Sequence, residues 1–173
     1  MEIKITIPRA QLGDLIPSSQ TVAEAAGRAI FNLIKGHLAE RDKRPAAKSG
    51  WPKSHYWADA AKSVREPTIS GSTATIEIDK EGVALHYYGG TVKPKKKALA
   101  IPISPLVADI WPSEKSELDL IKTKKNAFLA DPTTKEFLYL LVPQVTIPAD
   151  PTVLPEEGKI AGAALDAAES LLK

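Results

Sequence analysis

The sequence predicts an α+β fold in which an antiparallel β-sheet packs against N- and C-terminal helices, with an extended basic β-hairpin or loop attached. Two periodicities predict it. Apolar residues alternate with polar ones at Ile3, Ile5 and Ile7, and again at Ala74, Ile76 and Ile78, which is the spacing of strands with one buried face. Over residues 21–40 and 156–172 they recur at helical spacing instead. A chain of 173 residues is long enough for one domain with a real core and short for two.

Residues 2–7 read as a strand stopped by Pro8, followed by a linker through Pro17. Thr21 and Glu24 fit a capping box. Behind it, Val22, Ala25, Ala26, Ala29, Leu33 and His37 form a helical stripe widened by Ile30, Ile34 and Leu38. The charged run from Glu40 to Arg44 and then Pro45 end this helix. Residues 45–57 hold two prolines, Gly50, Trp51 and Trp57 without a sustained period, so they read as a connection anchored by its two tryptophans. Ala58 to Val64 allows one or two helical turns.

Thr73 to Asp79 and Val83 to Tyr87 both alternate around Lys80-Glu81-Gly82 and read as a β-hairpin. Gly89-Gly90 permits a turn or bulge with a backbone conformation costly for other residues. Lys93, Lys95, Lys96 and Lys97 precede the apolar run 98–103, which Pro94 and Pro102 restrict to a segmented or edge strand. Ser113 to Ile121 fits either a short helix or a mobile insertion. Ala127 to Leu129, Phe137 to Val142 and Val145 to Ile147 read as strands, with a turn at Asp131-Pro132-Thr133-Thr134. In the last helix Ile160, Ala164, Ala167, Ala168 and Leu171 share a face, and Glu156 and Glu157 suit its start.

Composition bounds the chemistry. Twenty-three basic against 21 acidic residues leave a net charge of +2, so the surface as a whole is no polyanion footprint and any nucleic-acid contact must be local. With no cysteine, disulfides and thiolate metal sites are excluded. His37, His55 and His86 match no local zinc spacing, and neither a nucleophile elbow nor a phosphate-binding loop is present. No cofactor is implied, and an enzyme is not expected. No apolar run approaches the roughly 20 residues of a membrane span. The dense basic cluster 93–97 can solubilise a strand edge, meet DNA phosphates or meet an acidic protein surface.

His86-Tyr87-Tyr88-Gly89-Gly90-Thr91-Val92-Lys93-Pro94-Lys95, followed by Ala98-Leu99-Ala100-Ile101-Pro102-Ile103, resembles the phage virion morphogenesis family, the Mu G-like tail-completion group. The helix at 21–40, Gly50-Trp51-Pro52, and Val145 to Pro151 with the closing helix are similar to that family's order of elements. Asp150 stands where the family usually has arginine, and Ser104 to Lys125 lacks a clear counterpart.

The resemblance implies one tail-completion-like domain over 1–173, with 86–103 projecting and 104–126 inserted. It implies a structural protein of a tailed phage or prophage that acts in tail completion or head–tail joining through contacts with other tail or neck proteins. Its expected form is a homo-oligomer, a ring, with DNA close by. It would be made in the bacterial cytoplasm and carried in the virion tail or neck. The residues singled out are His86, Gly89, Gly90, Thr91 and Pro94 for the turn, Lys93, Lys95, Lys96 and Lys97 for contacts, and Trp51 and Trp57 as anchors. A DNA-binding protein that uses the basic loop 93–97, with Tyr87 and Tyr88 as stacking platforms, is the alternative.

Overall fold

A computed structural model describes residues 1–6, 17–45, 50–95, 97–115 and 117–172, and in 5–6 the backbone alone. The chain groups into two compact units, one made of 1–44, 55–88 and 149–173, the other of 45–54 and 89–148. Antiparallel sheets and packed helices make the fold α+β.

In the first unit, strand β1 (Glu2–Thr6) and strand β2 (Thr68–Ser70) flank β3 (Thr73–Glu77), both antiparallel to it. Helix α1 (Ser19–Asp42) lies against β3 and β2 and is joined by α2 (Tyr56–Lys62) and the C-terminal α4 (Glu157–Ser170). Burying one face of α1 drives this packing: Ile30, Ile34 and Leu38 are fully buried together with Ile76, Val83 and Val153. The stripe is rotated from the sequence expectation, for Val22, Ala25, Leu33 and His37 form its half-buried flank. From α4, Ile160 and Ala164 reach the same core. Where α1 crosses β3 the helix carries Gly27, and a Cβ there would sit 2.8 Å from the Ala74 Cβ.

The second unit holds a two-stranded ladder of β4 (Gly90–Val92) with β9 (Val145–Ile147). It also holds a four-stranded antiparallel sheet ordered β5 (Leu99–Pro102), β8 (Phe137–Val142), β7 (Ala127–Ala130), β6 (Asp119–Lys122). Strand β5 is an edge, as its proline requires. The Ile103 N–H donates to the Leu138 carbonyl at 2.8 Å, so by alternation the peptide group of Pro102 faces away from β8 and its missing N–H costs no ladder bond. Val107, Leu138 and Tyr139 are the buried centre of this unit, with Ala100, Leu118 and Leu129 packed on them. Asp131 Oδ1 accepts the N–H groups of Thr133 and Thr134, both at 2.9 Å, in the expected turn.

Several expectations are corrected. Val83–Tyr88 is a helix, α3, and β3 pairs with β1 and β2. Val83 and Tyr87 are spaced i,i+4, and both meet the core from one helical face, a pattern that alternation over five residues cannot exclude. Residues 86–103 are not a hairpin, because β4 pairs with β9 and β5 with β8. Over Ser113 to Ile121, where a short helix or a mobile insertion was expected, the chain leaves a 3₁₀ turn at Pro112–Glu114 and enters strand β6. The α1 cap is Ser18, whose hydroxyl accepts the Thr21 N–H at 3.1 Å, which moves the start three residues ahead of the Thr21 capping box. Ile7, Pro8, most of the linker and Lys96 lie outside the described residues.

Candidate functional site

Residues 86–103 are divided between the two units. His86 sits on α3, its ring centroid 5.3 Å from that of Trp57 and 5.5 Å from that of Tyr56, while its backbone carbonyl accepts the Asp150 N–H at 2.9 Å. Tyr87 packs on the core and Tyr88 is 68% exposed. Gly89, at φ 72°, ends α3 in the left-handed region, the conformation expected of the glycine pair. Gly90 and Thr91 lie in β4, where the Thr91 hydroxyl is 3.3 Å from that of Thr146. Lys93, Pro94, Lys95 and Lys97 form the connection into β5, with the three lysines exposed. Trp51 is half-buried in the second unit, and Trp57 packs on the core of the first.

A cluster at the end of α1 escaped the sequence reading. The Arg41 side chain is only 10% exposed, with its guanidinium 4.5 Å over the Trp57 ring and ion-paired to Asp150. It also donates to the Thr152 hydroxyl at 3.0 Å and to the Thr152 carbonyl at 3.1 Å, and His37 Nε2–H donates to the same carbonyl at 2.9 Å. Hydrogen bonds from the Thr152 hydroxyl and then from Arg41 lower the Asp150 pKa from 3.8 to about 2. Asp150 thereby joins the 3₁₀ turn Pro151–Val153 to α1. The pairing spans 109 positions in sequence, and no local pattern encodes it.

The second unit presents apolar surface. A groove of about 800 Å³ is lined by Val92, Leu99, Ile101, Ile110, Trp111 and Tyr139 among others, with Asp109 and Ser113 as polar lining. The Tyr139 hydroxyl is already engaged, donating to the Ile110 carbonyl at 2.7 Å. Trp111 is 71% and Leu106 68% exposed, and Ile103, Ile110, Leu120 and Phe137 are exposed as well. Sheet register aligns Ile101, Leu140, Phe128 and Ile121 in one cross-strand row, all half-buried, and Phe137 stacks on Phe128 at 4.5 Å. Such a surface suits packing against other apolar side chains.

Among the described residues no group of three His, Asp or Glu side chains could hold a metal ion, and no helix is long and apolar enough to cross a membrane. No family model, curated protein or solved structure matches the chain.

Proposed function

We propose that this protein is a structural assembly component that works through protein contacts made by the second unit, in the tail-completion or head–tail-joining role that the motif at 86–103 implies. The observation that carries this reading is the run of exposed large apolar side chains at Ile103, Leu106, Ile110 and Trp111 beside an apolar groove. Keeping a tryptophan and a leucine at about 70% exposure has a cost in solubility that interaction surfaces share and ordinary monomer surfaces avoid. The apolar cross-strand row adds to that surface.

Copies of the chain associate through this surface into a closed oligomer, and the finished oligomer meets the neighbouring tail or neck proteins. Light scattering across a concentration series tests it. A discrete mass several times that of the 18.6 kDa chain is expected, and a monomer at every concentration would contradict self-association.

A further inference from the structure

Charge is segregated between the two units. Among the described residues the arginines, Arg28, Arg41, Arg44 and Arg65, all fall in the first, whereas the second carries nine lysines against six acidic residues. Sheet register sorts the second unit further. The pairs Leu99↔Val142, Ala127↔Leu141 and Lys122↔Ala127 put the start of β5, the end of β8 and the β6–β7 turn at one end of the sheet. That end receives Lys93, Lys95 and Lys97 from the connection into β5, and Lys122, Lys124 and Lys125 from the β6–β7 turn. All six are exposed and none has an ion-pair partner among the described residues. The segments 92–98, 122–126 and 142–145 that build this end contain no Asp or Glu. Asp119, Asp131 and Glu136 lie at the opposite end, where Lys135 pairs with Asp119 at 2.7 Å.

We infer that this lysine end is a binding site for the phosphate backbone of duplex nucleic acid, made jointly by the 93–97 and 122–125 loops. The loops are two to three strand spacings apart, roughly 10–14 Å, a span comparable to the width of about 12 Å of a DNA major groove. Lysines on two prongs at that separation reach phosphates on either side of a groove. The second unit holds no arginine fork for reading base edges, so its lysines meet phosphates as point charges and the site is indifferent to sequence. This site operates whether or not the apolar surface assembles copies of the chain.

The test is fluorescence anisotropy of the full chain with a labelled 30-base-pair duplex across a salt series. Wild type should bind with an affinity that falls steeply with salt. One triple variant carries Lys93→Gln, Lys95→Gln and Lys97→Gln, and the other Lys122→Gln, Lys124→Gln and Lys125→Gln. Each should flatten the log–log salt slope by roughly 2–3, since each phosphate contact contributes about 0.9. Each should also bind at least about tenfold more weakly. A control carrying Lys4→Gln, Lys62→Gln and Lys159→Gln in the first unit should retain the wild-type slope. The inference is overturned if the 122–125 variant keeps the wild-type slope or if the control loses as much as the site variants. It is likewise overturned if polyglutamate or phosphatidylserine vesicles bind the protein while the duplex does not.

Discussion

Arg41 and Asp150 show how one pair can decide where a chain terminus goes. Arg41 is buried against Trp57, so its charge depends on the Asp150 carboxylate and on Thr152, and the pairing fastens the segment before α4 to the end of α1. Asp150 has a folded pKa of about 2, below its ordinary 3.8, so its contribution is fully present above about pH 4 and is lost as pH falls toward 2. Asp150→Asn should cost about 1–2 kcal/mol at pH 7, the low end for a charged hydrogen bond because the carboxylate is 38% exposed to screening solvent. In urea titrations at several pH values the difference between variant and wild type should shrink below pH 4. A difference that stayed constant down to pH 2 would mean that the carboxylate's charge is immaterial.

At the scale of elements, α1 and the sheet it crosses are fixed by one close approach. Gly27→Ala forces a Cβ against Ala74 and Pro67, and should destabilise by about 1–2 kcal/mol even after the helix-propensity gain. Gly36→Ala on the same helix meets nothing within 4 Å and should stabilise by about 0.5–1 kcal/mol. Thermal unfolding of both variants would show opposite shifts, and shifts of the same sign would refute the crossing. The elements legible in the sequence were those with long or clean periods, β1, α1, β3, β5, β7, β8, β9 and α4, and α2 was read two residues late as one or two helical turns. Strand β2 was missed although its two-residue Gly71-Ser72 turn, with Gly71 at φ 58°, is a hairpin signal. Helix α3 was misread because six residues are too few to separate a period of two from i,i+4. The lysine loop 93–97 was visible as a run, but its companion at 122–125 emerges only from strand order, which places the two turns at one end.

The molecule as a whole is uneven. The first unit has a core of a dozen buried residues drawn from three of its four helices and its sheet, together with the turn at Pro151–Val153. The second closes around Val107, Leu138 and Tyr139 and leaves much of its apolar side chain area half-covered. Fewer buried apolar contacts mean cheaper local opening. Hydrogen exchange of the free protein should therefore be slowest at Ile30 to Leu38 of α1 and in β3, and faster by at least tenfold in β6 and β7. Equal protection in the two units would contradict this ranking. The same imbalance underlies the assembly role, because a unit that buries little of its apolar surface alone gains most when a neighbour covers it. The most direct measurement is the solution mass of the variant Leu106→Ser with Trp111→Ser beside wild type at equal concentration. Both side chains are exposed, so the fold should survive, and the account predicts a discrete oligomer for wild type and a smaller species for the variant. Identical masses, whether both monomeric or both oligomeric, would contradict the claim that this surface holds the assembly together.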